Sequence, residues 1–343
     1  MTGRLLIGCL LLAVAGCLIL NIGIGSVAIP PGEIVRILLD GKSDDEAWLY
    51  IVREIRLPKA LTAILVGSGL SVSGLQMQTL FRNPLAGPSE LGITAGAGLG
   101  VATVMLSGGS AASLYAIRQL GLSGSWLIVA MASLGSAAVL LLVLMIAGRL
   151  KDNVVLLLVG VMIGTMTLSL ISIWQYFSQP EQLQEYLMWT FGSLGGVVDD
   201  HLTVLASVVA FGLLLAYASS KALNALLLGE QYARSMGLTV GRARTIILLS
   251  TSLLTGSITA FCGPVAFVGI AVPHLTRALL GTSNHRLLIP ASALLGSVLL
   301  LLCDSIAQLP GTQAVLPINI VTSLFGAPVV IWMIVRRHNF RSV

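Results

Sequence analysis

Asp304 is the first residue in this sequence that could do chemistry in an apolar setting. It is the one acid within or at the edge of a hydrophobic run, and carboxylates so placed serve as proton relays or ion ligands. Its place near the end of that run, with Pro310-Gly311 about two turns on, suits a cap or a hydrogen bond across helices. His274 and Arg277 invite a metal or substrate reading. His274 has no ligand companion at helical spacing, so it is read as satisfying backbone freed by Pro273, and Arg277 as snorkelling from a helix end. Cys9, Cys17, Cys262 and Cys303 form no C-x-x-C, which suggests neither a metal site nor a dithiol redox centre. Gly41-Lys42-Ser43 echoes the end of a phosphate-binding loop, but Arg36 stands where that loop needs glycine. No Ser/His/Asp, Cys/His or paired-carboxylate set lies within reach, which argues against an enzyme.

The elements that must position these residues are membrane helices. The chain has 343 residues, 56% of them hydrophobic and 10% charged, with a mean hydropathy of +0.96. A soluble domain carries about 25% charged residues, so this composition predicts an all-α integral membrane protein and excludes soluble, secreted and disordered classes. Stretches free of Asp, Glu, Lys and Arg run 5–32, 60–81, 91–117, 119–148, 153–180, 201–220, 245–276, 287–303 and 305–335. Each reads as one crossing except 245–276, which Cys262-Gly263-Pro264 breaks into two short helices. The result is about ten transmembrane helices in one compact bundle, a single domain over 1–343. With both termini cytoplasmic, 13 of the 19 basic residues fall inside, and the other six, Arg36, Lys42, Arg53, Arg56, Lys59 and Arg118, fall outside. Glu90, Asp152 and Glu230 are the inner acids. Val14-Ala15-Gly16-Cys17 resembles a lipoprotein signal, but the apolar stretch continues through Leu18-Ile19-Leu20, so it is read as the first crossing.

Two connecting segments are long enough to fold. Outside, 26–56 carries a short amphipathic helix, Ile34 to Leu39, stopped by Gly41. Inside, 220–244 carries an apolar stripe of Leu223, Leu226 and Leu227, then a second short helix from Glu230 to Met236 between Gly229 and Gly237. Ala233 and Met236 continue the apolar face, while Glu230 and Arg234 pair on the exposed one. Such a segment is either a surface helix pair in the headgroup region or a docking element for a cytoplasmic partner. Gly92, Gly96 and Gly100, and again Gly160 and Gly164, are spaced for close helix packing or for a glycine-lined passage. No basic cluster large enough to hold nucleic acid lies outside the lipid.

At Arg82-Asn83-Pro84-Leu85-Ala86, Pro88 and Leu91-Gly92 the sequence resembles the permease subunits of ABC importers for iron-siderophores, haem and cobalamin, the FecCD-like type II importers. Arg56-Leu57-Pro58-Lys59, Gly229-Glu230 with Ala233-Arg234 and Gly237, Phe267-Val268-Gly269 with Pro273-His274 and Arg277, and Gly326-Ala327-Pro328 extend the resemblance along nearly the whole chain. The resemblance implies a permease in the bacterial inner membrane that binds no cofactor itself. ATP and Mg would belong to two separate cytoplasmic ATPase subunits, and a second permease subunit, identical or paralogous, would complete the pathway. A periplasmic or lipid-anchored binding protein would deliver the cargo. By the same resemblance Leu226, Gly229, Glu230, Ala233, Arg234 and Gly237 would couple to the ATPase. Arg56 and Lys59, with Arg53 added, would dock the binding protein. Gly160, Met162, Gly164 and Met166, with Trp174 and Tyr176 nearby, lie on or just beyond the fifth crossing, which resembles a pathway helix. A different class remains open at this point, an ion-coupled secondary transporter using Asp304 and helices broken at Pro264 and Pro273.

Overall fold

The computed structural model describes residues 3–339 except 26, 28, 44, 107–123, 151, 198 and 309–314. Arg118, Lys151, Arg341 and Pro310-Gly311 lie outside the described residues. Among the described residues there is no strand. In chain order the helices are α1 (Gly3–Gly23), α2 (Pro31–Asp40), α3 (Glu46–Tyr50), α4 (Leu57–Leu80), α5 (Ile93–Met105), α6 (Gly124–Ala147), α7 (Asn153–Phe177) and α8 (Pro180–Thr190). They continue with α9 (Asp199–Ala218), α10 (Ser220–Leu227), α11 (Glu230–Ser235), α12 (Val240–Cys262), α13 (Val268–Leu280), α14 (His285–Ala307) and α15 (Ile318–Asn339). Among the described residues, seven helical stretches are long and apolar enough to cross a membrane, and α5, α13 and most of α15 are shorter apolar helices. The protein is a multi-pass membrane protein.

α4 is the axis of the bundle, since 83% of its most apolar window is buried, against 17% for α1 and 22% for α9. Its sequence explains the difference. Gly67 and Gly74 let it touch α14 and α13 backbone to backbone: a Cβ on Gly67 would overlap Gly296, and one on Gly74 would overlap Gly269. Helices that cannot use apolar burial against lipid rely on this contact and on hydroxyl hydrogen bonds. Ser71 Oγ donates to the Ser292 carbonyl (2.7 Å), Ser73 Oγ meets Thr255 Oγ1 (2.8 Å), and Ser250 and Thr251 donate to Gln76 Oε1.

The break at 263–267 is present, but only its second product is short. α12 runs 23 residues because it starts at Val240 and carries Arg242 and Arg244 within the helix. Gly263 leaves the helix at φ 73° and Phe267 enters α13 at φ 64°. Pro273 does not break α13, which continues through it. The segment 26–56 holds more than one helix: after α2, the chain runs from Glu46 through α3 and a π-helical turn, Ile51–Arg56, directly into α4. α8 was not foreseen, although Pro180 at its first turn is a helix-start signal.

Candidate translocation and coupling sites

At one end of the bundle, α10 and α11 form a bent pair. Gly229 (φ 107°) and Gly237 (φ 84°) take backbone conformations closed to other residues without strain, and so set the angle on either side of α11. Leu223, Leu226 and Ala233 are buried against the bundle. Glu230 pairs with Arg234 as their spacing suggests, but it is less open than a residue on the exposed face. Its carboxylate accepts from Arg244 of α12 at 2.9 Å and from Asn153 Nδ2 of α7 at 2.8 Å, while Arg234 stands at 3.4 Å. Asn153 also donates to the Leu80 carbonyl at the end of α4. Glu230 is therefore a clasp between the connecting pair and three crossings. A second clasp holds α10: Asn224 Oδ1 accepts from the His285 backbone (2.9 Å) and meets its Nδ1 (2.8 Å), while His285 Nε2 meets Thr79 Oγ1 at 2.8 Å. Met236 does not continue the buried face. Like Leu228 and Tyr232, it is more than half exposed. Nearby, Arg277 does not snorkel; it donates to Gln78 Oε1 at 2.5 Å, and Gln78 donates to the Ile270 carbonyl, while His274 is half-buried on α13.

At the opposite end, Arg53, Arg56 and Lys59 part company. Arg56 is 8% exposed and donates to the carbonyls of Ile22, Gly23 and Val27, where α1 ends. Lys59 pairs with Asp304 at 2.9 Å. Asn21 and Gln308 donate to the other oxygen of Asp304, each at 3.0 Å. Neither Arg56 nor Lys59 is a free surface charge: their long side chains reach acceptors at the end of α1 and on α14. Arg53 is exposed, as are Arg36 and Lys42. Asp304 is likewise not an open carboxylate, so the relay that an ion-coupled carrier would need is already neutralised by Lys59.

Between the two ends the chain does something its charges did not announce. After α4, Arg82 turns at φ 50°, Asn83 Oδ1 caps Leu85 N, and the segment through Pro84 climbs back into the bundle. The Pro88 ring seats on Gly269, which also faces the Leu70 carbonyl, ten residues from the end of α4, or about 15 Å. Gly160 of α7 would set a Cβ 3.0 Å from the Glu90 carbonyl oxygen, and Gly92 packs on Gly164. Glu90 is thus at mid-bundle depth, a correction to its place among the inner acids of the connecting segments. Irregular backbone is tolerated there because protein covers it. Gly96 and Gly100 bring α5 against Gly135 and Met131 of α6. The fifth-crossing residues divide: Gly160 and Gly164 are buried in packing, whereas Met162 and Met166 are 61% and 70% exposed on another face. One helix face cannot present all four.

Two cavities of 380 Å³ adjoin at Glu90. One is lined by α5, α7 and α8, including Thr94, Thr165 and Trp189; the other lies under the 263–267 break, including Thr255, Thr259 and Asn319. Among the described residues no three His, Cys, Asp or Glu side chains gather as a metal site requires.

The profile of the FecCD transport family matches residues 10–336. The hemin transport system permease protein HmuU of Yersinia pestis is 33% identical over 340 residues, covering 99% of this chain and 98% of that protein. The vitamin B12 import system permease protein BtuC of Klebsiella pneumoniae is 35% identical over 319 residues, covering 93% and 90%. A solved structure of a transporter described as of the metal-chelate ABC type, in an inward-facing conformation, superposes with a TM-score of 0.81 at 26% identity, covering 97% of this chain and 99% of that one.

Proposed function

The chain belongs to the FecCD transport family, and from that premise we propose that it is the permease subunit of an ATP-driven importer for an iron-siderophore or a related metal chelate such as haem or cobalamin. It hydrolyses nothing itself. Two separate cytoplasmic ATPase subunits bind ATP and Mg, and a second permease subunit, a copy or a paralogue, completes the pathway. A binding protein on the other side delivers cargo. The chain lies in the inner membrane with both termini and the 220–244 segment cytoplasmic. The outward basic residues of 26–56, with Arg53 foremost, then meet the acidic face of the binding protein.

One observation carries this reading: the α10–α11 pair is clasped to the crossings from beneath by Glu230 and Asn224, and turns Leu228, Tyr232 and Met236 outward. A pair held rigidly on one face and apolar on the other transmits displacement when a partner seats on it. Gly237 and Gly229 fix its angle, and Leu226, Ala233 and Arg234 complete the element. In proteoliposomes holding the permease, its ATPase and its binding protein, chelate uptake depends on ATP. Accumulation against a gradient by the permease alone, without nucleotide, would overturn the proposal.

A further inference from the structure

Glu90 has no assigned role, and its surroundings are unlike those of the other membrane acid. Asp304 is neutralised by Lys59 and held by Asn21 and Gln308. The carboxylate of Glu90, half-buried at mid-bundle, has no hydrogen-bond or ion-pair partner among the described residues, and the residue is held by its backbone N–H, which donates to the Gly87 carbonyl. Among the described residues it is the single charged one lining either of the two adjoining cavities, and the other polar side chains there are hydroxyls, the Trp189 indole N–H and the Asn319 amide. Each cavity has the size of a small-ligand pocket, roughly 300–1,000 Å³. The segment that holds the carboxylate there is rigid: Pro88 is seated on Gly269, and Gly92 is locked on Gly164.

An unpaired carboxylate in a cavity of low polarity repels an anion strongly and attracts a cation or a hydrogen-bond donor. We propose that Glu90 is a cargo-contacting, charge-selecting residue, and that this permease passes a neutral or cationic chelate bearing hydroxyl, amide or ammonium donors in preference to a polyanionic one. The inference rests on the permease reading above and narrows its substrate class. Ser89, Thr94 and Thr255 supply the neutral hydrogen bonds beside the charge.

The test is equilibrium binding of two radio-iron-labelled probes, a cationic ferric trihydroxamate and a trianionic ferric tricatecholate, to the permease–ATPase complex in detergent without binding protein. The native complex prefers the cation by about tenfold or more, Glu90→Asp keeps that preference, and Glu90→Gln reduces it to about threefold or less. A ratio unchanged in Glu90→Gln, a native preference for the trianion, or no binding of either probe overturns the inference. Uptake separates the two claims. ATP-driven uptake with an unresponsive ratio removes the Glu90 assignment alone, whereas a responsive ratio without ATP-driven uptake removes the importer reading.

Discussion

Lys59 Nζ lies 2.9 Å from Asp304 Oδ1, joining α4 to α14 across 245 positions of sequence. The pair is closed over by Asn21 of α1, which also donates to the Leu301 carbonyl and to Ser305 Oγ. Three crossings are thus fastened at one end by a single neutral cluster.

Loss of one partner strands the other charge. Lys59→Met or Asp304→Leu lowers stability by about 3–5 kcal/mol, and the double variant recovers most of it, since breaking a buried pair costs more than replacing it with apolar groups. Thermal unfolding in detergent over the full double-mutant cycle measures this. Equal losses in the single and double variants would show that the pair is not the source.

Arg53 and Arg56 are three residues apart and have opposite fates. Arg53→Glu leaves the melting temperature unchanged and slows association with the binding protein, with the largest effect at low salt. Arg56→Ala instead leaves the carbonyls of Ile22, Gly23 and Val27 without their donor, a loss of about 1–3 kcal/mol for buried acceptors left unpaired. Binding kinetics and melting curves for both variants separate the roles.

Glu230→Arg sets a third cation against Arg244 and Arg234 and detaches α11 from α7 and α12. Membrane insertion persists while ATP hydrolysis continues without uptake, and Glu230→Arg combined with Arg244→Glu restores coupling in part. Gly237→Pro gives the same uncoupling for a different reason, because φ 84° is closed to proline. The ratio of chelate imported to ATP hydrolysed is the measurement, and normal ratios in both variants would remove α11 from the coupling path.

Gly74→Leu drives a side chain into the Gly269 backbone, where neither helix can yield without parting α4 from α13. The expected cost is at least about 1–3 kcal/mol, as for other overpacked cores. Gly241→Ala, on open surface, serves as the control. Yield of monodisperse protein and its melting temperature report the difference.

Much of the architecture was legible in order along the chain. The crossings, the interruption at Gly263-Pro264 and the turn glycines 229 and 237 follow from local hydropathy and from conformations that a residue type permits or forbids. α8 was legible in principle through Pro180 but was masked by its Gln- and Glu-rich composition. The climb of 81–92 was signalled only by its prolines and glycines, and nothing local gave its depth. Charge counting therefore leaves Glu90 among the inner acids of the connecting segments.

Transfer between water and lipid is a sum over neighbouring residues, so the sequence by itself determined that the chain is a bundle of membrane helices, interrupted at Gly263-Pro264, and which family it belongs to. Partnership is not such a sum. That Arg56 is consumed by α1, that Lys59 meets Asp304, that Glu230 faces inward and that Glu90 faces a cavity all depend on which helix faces meet. Backbone contacts such as Gly67 on Gly296 and Gly160 on Glu90 decide those faces only once the chain is folded, because a charge in a medium of low polarity pairs with whichever group of opposite character folding sets within reach, and one that folding leaves without such a group, as at Glu90, faces a cavity instead.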